Sequence, residues 1–255
     1  FDYGGVSCKI YLEIDYEELD KERCQWAWNK LVERHEMLRA IICDDGYQVI
    51  PTDTSEIEVK YYDFTSDIEG LAKLREEMGD KVFPIGGWPY FEIALSKQKE
   101  KTVMHISFDF LIADWNSIWI LIREFEEFYF NGETKKKVPL SFQDYLSLEN
   151  EMISKPEGLR DKEYWKKRIE NLPPRPMLPV KDKSCIESGF DRLIFELPKN
   201  KWDKFCEYVN ATGCTPTVAV MTCYALCLGN WSQIKEFCIN LTLLNRLPLS
   251  PDVYS

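Results

Sequence analysis

The stretch 104-MHISFDFLIADWNSIWIL-121 constrains the fold of this chain more than any other. Up to Asp109 it alternates. Val103, His105, Ser107 and Asp109 fall on one face, and Met104, Ile106 and Phe108 on the other, which is the pattern of a buried strand. After Asp114, the residues Ile118, Ile122, Phe125 and Tyr129 recur at helical spacing. A strand must therefore turn into a helix within a few residues. That turn carries two carboxylates, Asp109 and Asp114, and Ser117 follows three residues after the second. Burying an unpaired carboxylate is costly, so both acids need partners or a cavity. Strand-to-helix turns are also common seats of chemistry.

The neighbouring sequence supplies layers for this unit. Strands are predicted at 7–15, 39–44, 46–50, 57–64, 90–96 and 101–109. Helices are predicted over 15–36 and over 66–83, the second with Ser66 as N-cap and Glu69 three residues later. The helix after Asp114 runs to about Phe130 and stops at Asn131-Gly132. Helices follow at 141–153 and 157–171. The strip 172-LPPRPMLPV-180 then forbids helix and sheet interior alike. It marks a lobe boundary, with residues 1–178 as a first lobe and 179–255 as the start of a second. Beyond it, strands are predicted at 190–197 and 235–243. Between them lie helices at 199–213 and 215–231, the latter with Thr215 as N-cap and Pro216 in its first turn. The fold class is α/β, built as α+β sandwich lobes.

Composition narrows the function. The formal charge of −11 argues against a general nucleic-acid binder, which needs a basic face. No apolar run approaches the roughly 18 residues of a spanning helix, so no membrane role is expected. Nine scattered cysteines without a CxxC pair predict reduced core thiols in a cytoplasmic protein. With His35 and His105 as the sole histidines, a zinc site lacks ligands. The chain opens on Phe1 and closes on 247-LPLSPDVYS-255 without a terminating element, and so reads as part of a longer polypeptide.

By spacing alone the acid pair stays open. One acid can act as a general base with its pKa raised by apolar surroundings. A metal would need ligands beyond His105. A structural ion pair with a buried arginine is the reading the physics favours for at least one of the two.

The residues also resemble a family. Asp109-Phe110-Leu111-Ile112-Ala113-Asp114-Trp115-Asn116-Ser117 matches DxxxxDxxS, which the heterocyclization domains of nonribosomal peptide synthetases carry in place of the condensation motif HHxxxDG. Phe110 occupies the place of that motif's second histidine. Four further stretches match in the family's order. They are 34-RHEMLR-39, 172-LPPRPMLPV-180, 215-TPTVAVMTCYALCLGNW-231 and 240-NLTLLNRLP-248.

The resemblance implies a chloramphenicol-acetyltransferase-like fold of two lobes, here with an incomplete second lobe. The partners it implies are donor and acceptor peptidyl carrier proteins and a neighbouring adenylation domain. No cofactor is bound directly, and phosphopantetheine is presented by the carriers. The implied reaction condenses an acyl or peptidyl thioester with carrier-bound Cys, Ser or Thr and then cyclodehydrates the product to a thiazoline or oxazoline. The alternatives are a scaffold lobe that only docks carriers, and an ordinary amide-forming condensation domain.

Asp109, Asp114 and Asn245 are the candidate catalytic residues, and Ser117, Asn240, Thr242 and His105 the candidate substrate-binding ones. Arg34, His35 and Arg39 are read as structural. Arg39 is the expected partner of Asp114, in a buried pair whose rupture would cost about 3–5 kcal/mol. Asp109 is expected to face the substrate tunnel. Ser117 is read as a cap or packing hydroxyl rather than a nucleophile, and Asn240, Thr242 and Asn245 are placed on a second-lobe strand facing that tunnel.

Overall fold

The computed structural model describes residues 8–132, 138–179, 193–243, 246–248 and 253. They form two compact units. The first joins Phe1–Met152 to Leu244–Ser255, and the second is Ile153–Leu243.

The first unit is built on a four-stranded sheet. Its strands are β1 (Lys9–Tyr16), β4 (Lys60–Asp63), β5 (Phe91–Lys97) and β6 (Thr102–Asp109), in the order β1-β6-β5-β4. The predicted strand before Asp109 is β6, and it is central. It pairs antiparallel with β1 (Lys9 opposite Asp109) and with β5 (Phe91 opposite Phe108). The remaining pair, β4 with β5, is parallel. Every residue of β6 is buried, because both faces of the sheet are covered.

The apolar face of β6 packs on α1 (Lys21–Arg34) and α3 (Trp115–Glu126). Met104, Ile106 and Phe108 meet Trp28, Leu31, Ile118 and Phe125 there. The rings of Phe91 and Phe108 stack at 5.1 Å, and those of Trp28 and Phe125 at 5.4 Å. The other face is covered by α2 (Ile68–Gly79), whose Leu74 and Met78 lie on Ala94. A short hairpin of β2 (Ile41–Ile42) and β3 (Gln48–Val49) stands apart from the sheet.

Capping chemistry shifts two helix starts. α1 begins at Lys21 rather than near Asp15, because Asp20 accepts the Arg23 N–H while β1 continues through Tyr16. α2 is capped by Asp67, which accepts the Gly70 N–H, and not by Ser66. The regular part of α3 ends at Glu126, short of the expected Phe130. A wider turn over Glu127–Asn131 leads to Gly132 in the left-handed conformation (φ 69°) that glycine adopts without strain.

Helix α4 (Phe142–Ser154) follows. The second unit holds α5 (Pro156–Ile169), α6 (Lys199–Ala211) and α7 (Pro216–Ser232), the last capped by Thr215 with Pro216 in its first turn. The strands expected at 190–197 and 235–243 are corrected. Their described residues, 193–197 and 235–243, form none. Alternation alone does not make a strand, and among the described residues of this unit no ladder offers their backbones partners. The division between compact units falls at 152/153 and 243/244, by contact density, and is a different criterion from the lobe boundary read from the proline strip.

Most of the described cysteines are not core residues. Cys24 is buried, Cys43, Cys206 and Cys238 are partly exposed, and Cys8, Cys214, Cys223 and Cys227 are exposed. Among the described residues no single helix is long and apolar enough to cross a membrane, and no group of three potential metal ligands occurs.

Candidate functional site

A cleft of about 460 Å3 opens in the first unit. Its floor is the turn from Phe110 to Asp114 and the first turns of α3. Its walls come from Arg34–Leu38, from Val138–Tyr145, and from Arg246 and Val253. The volume lies within the range of small-molecule sites.

Asp114 sits at the cleft edge as the N-cap of α3. Its Oδ1 accepts the Ser117 N–H at 2.7 Å and the Ser117 hydroxyl at 2.6 Å. Arg246 Nη2 donates to the same oxygen at 2.9 Å and to Ser117 Oγ at 2.9 Å, and its Nη1 donates to the Val253 carbonyl. Burial pushes the Asp114 carboxyl up, but the Ser117 bonds and the Arg246 guanidinium outweigh it and hold the pKa below the ordinary carboxylate value. Asp114 and Ser117 thus share one guanidinium and close the first turn of the helix.

The expected Asp114–Arg39 pair is corrected. Arg39 is buried and turned toward the end of α1, where it donates to the carbonyls of Val32, Glu33 and Pro51. A cation on the last carbonyls of a helix satisfies orphan acceptors and complements the helix dipole. The Asp114 side chain is 47% exposed, so the pair it forms with Arg246 is not the buried one expected.

Asp109 does not face the cleft either. It is 2% exposed, and its Oδ1 accepts the Leu111 N–H at 2.9 Å, which fixes the turn. The strand alternation turns it to the α2 face, across the ladder from Lys9. Lys9 donates to the Met78 and Lys81 carbonyls there. Phe110, one residue on, takes the cleft side and is 40% exposed.

His105 is a core histidine, fully buried and outside the lining of the cleft. Nδ1 lies 2.6 Å from the Tyr11 hydroxyl and Nε2 2.7 Å from Ser96 Oγ. Tyr11 donates its proton to Glu13, which Arg75 holds through two bonds. Nδ1 is therefore the donor and Nε2 the acceptor of a neutral ring. Burial lowers the His105 pKa, with Glu13 opposing.

Arg34 and His35, by contrast, line the cleft and converge on Glu124 of α3. Arg34 Nε and Nη2 meet its two oxygens at 2.9 and 3.2 Å. His35 Nε2 lies 2.6 Å from Oε2, and an ionised carboxylate only accepts, so that nitrogen carries a hydrogen. Burial raises the Glu124 pKa, but the bonds to His35 and Arg34 overcome it and bring it to about 2. Glu124 is the residue that sequence reasoning missed. Its signal was an acid placed immediately before Phe125 on the buried side of an apolar helix.

Asn240 and Thr242 are exposed residues of the irregular segment in the second unit. Asn245 lies outside the described residues. The cleft therefore assembles Ser117, Asp114, Arg34 and His35 of the expected site, adds Phe110 and Arg246, and leaves Asp109, His105 and Arg39 in the surrounding scaffold.

Comparison with known proteins places this arrangement. The family model described as "Condensation domain" matches residues 7–253. Pyochelin synthetase PchF of Pseudomonas aeruginosa (strain UCBPP-PA14) is 31% identical over 261 residues, which are 99% of this chain and 14% of that protein. Phenyloxazoline synthase MbtB of Mycobacterium tuberculosis (strain H37Rv) is 28% identical over 98% of this chain and 18% of its own length. The cyclization-docking bidomain of EpoB, from a nonribosomal peptide synthetase of Sorangium cellulosum, superposes with a TM-score of 0.83 at 31% identity. That match covers 97% of this chain and 51% of the solved one.

Proposed function

The chain belongs to the condensation-domain family of nonribosomal peptide synthetases, and on that premise we propose that it serves heterocyclization. The substrates are a donor acyl or peptidyl thioester and a Cys, Ser or Thr acceptor, each tethered to the phosphopantetheine of a carrier protein. The acceptor amine attacks the thioester carbonyl, a C–N bond forms, and the donor thiol leaves with a proton. The acceptor side chain then adds to the new amide carbonyl. Loss of one water closes the thiazoline or oxazoline.

One observation carries this reading. The DxxxxDxxS turn forms the cleft floor with an aromatic ring, Phe110, at the place where an amide-forming condensation domain carries its functional histidine. Neither histidine of the chain can stand in for it. His105 is held in the core by Tyr11 and Ser96, and His35 is tied to Glu124. Catalysis without an imidazole at the reacting carbonyl leans on positioning of two tethered substrates, which can supply several kcal/mol. The Asp114–Ser117–Arg246 cluster fixes the α3 end of that floor, and Glu124 fixes the Arg34–His35 wall. Resemblance to the cyclization bidomain and to the named synthetases supports the same reading.

The test is reconstitution in the full-length synthetase with loaded donor and acceptor carriers, read by mass spectrometry of the carrier-bound product. A dipeptidyl product lighter than the open amide by one water supports heterocyclization. Quantitative retention of the open amide assigns ordinary condensation instead. Carrier binding without any product assigns a docking scaffold.

A further inference from the structure

We propose that the cleft seats the donor acyl group and selects an apolar chain or ring over an anionic one, with Phe110 setting its size limit. The inference deepens the heterocyclization reading and rests on it for the identity of the two substrates.

Three observations lead there. The first is the lining. Phe110, Leu111, Ile120, Leu121, Leu140 and Phe142 give the cleft an apolar floor and walls. The second is the state of its charged groups. Arg34 and His35 are bound to Glu124, Asp114 is bound to Ser117 and Arg246, and Glu36 accepts the Phe142 N–H at 2.6 Å. A carboxylate on the donor would meet cations that are already paired beside the carboxylates of Asp114 and Glu36, so it would have to displace one of these bonds or enter unpaired, and both are costly. The third is size. A cleft of about 460 Å3 is far larger than a Cys, Ser or Thr side chain needs, so it suits the donor rather than the acceptor.

Phe110 is placed to act as the gauge. Its N–H donates to the Cys8 carbonyl at 3.0 Å, and the turn on either side is held by Asp109. Its ring therefore enters the cleft from a fixed backbone, and shortening it adds room without moving the floor.

The experiment uses the intact synthetase, with the donor carrier loaded with benzoyl, naphthoyl, hexanoyl or succinyl pantetheine. The readout is the initial rate of total condensed product, open amide plus heterocycle. Benzoyl and hexanoyl groups are expected to exceed succinyl by at least about tenfold, the scale at which a pocket rejects a mismatched group. Phe110→Ala is expected to shift the preference from benzoyl toward naphthoyl by about tenfold while still rejecting succinyl. Ile120→Lys is expected to raise succinyl relative to benzoyl.

Equal rates for succinyl and apolar donors would overturn the proposal, as would a Phe110→Ala variant slowed in equal proportion on every donor. If only open amide forms, the heterocyclization reading fails while donor selection is still measured. If no donor condenses, ligand-observed NMR with non-hydrolysable acyl-pantetheine amides decides. Tighter binding of the benzoyl than the succinyl analogue supports the proposal, and equal binding, or binding of neither, rejects it.

Discussion

Replacing Glu124 by glutamine tests the cleft wall most directly. The side chain is 2% exposed and holds Arg34 and His35 at once, so the substitution keeps the shape and removes the charge they were arranged around. The gap between an ordinary carboxyl at 4.5 and a folded-state value of about 2 corresponds to about 3 kcal/mol of stability. The expected cost of breaking a buried pair, about 3–5 kcal/mol, reaches the same size by a separate route. The sign follows from proton binding. Below pH 4.5 the unfolded Glu124 takes up a proton that the folded one refuses, so its contribution is complete above 4.5 and fades as the pH falls toward 2. Urea denaturation should therefore show Glu124→Gln less stable than the unaltered protein by about 3 kcal/mol at pH 7. The difference should hold down to about pH 5 and narrow below 4.5. A difference under about 1 kcal/mol at pH 7, or one that stays constant to pH 3, would refute the reasoning.

Other substitutions separate scaffold from cleft. Asp114→Ala removes an N-cap and a half-exposed ion pair, so denaturation should report a loss of about 1–2 kcal/mol and not the 3–5 of a buried pair, while Asp114→Ser should recover most of it through the cap. Arg39→Met should destabilise by about 3 kcal/mol, since the carbonyls of Val32, Glu33 and Pro51 lose a charged donor, with no change in apparent donor affinity beyond that unfolding. For His105, whose folded pKa is lowered, the unfolded state binds the extra proton, so stability should fall as pH drops below 6.5, and His105→Asn should flatten that slope in denaturation midpoints measured from pH 7.5 to 5.5. Phe108→Ala, at the centre of the stacked aromatic core, should cost about 3–5 kcal/mol by the same assay.

The strand, turn and helix around Asp109 and Asp114 were legible because two hydrophobic periods meet there, and periodicity is a local property. Helix ends were legible less well. Asp67 outcompeted Ser66 as a cap, and the two are adjacent and chemically equivalent to a pattern. The partner of Asp114 was not legible at all. Arg39 and Arg246 are both arginines in matched motifs, and the contact that forms joins residues 132 positions apart. Which arginine arrives depends on chain topology. The strands expected at 190–197 and 235–243 show the converse, since alternation specifies a face and says nothing about a neighbour to pair with. Asp109 and Phe110 divided as the pleat requires, so its exposure to the cleft was decidable from the Met104–Ile106–Phe108 register had the helices been placed on that face.

The first compact unit is assembled from two separate pieces of chain, and this bears on how synthetases are cut and spliced. A contiguous excision ending at residue 152 would carry the Asp114 cap away from Arg246, and the cleft away from Arg246 and Val253. A protease nick anywhere within 153–243 would leave both pieces present, so the two halves should stay associated without a peptide link between them. For module exchange, the unit to keep together is a set of contacts closed by a returning segment, and a boundary drawn on the linear sequence between its pieces crosses it.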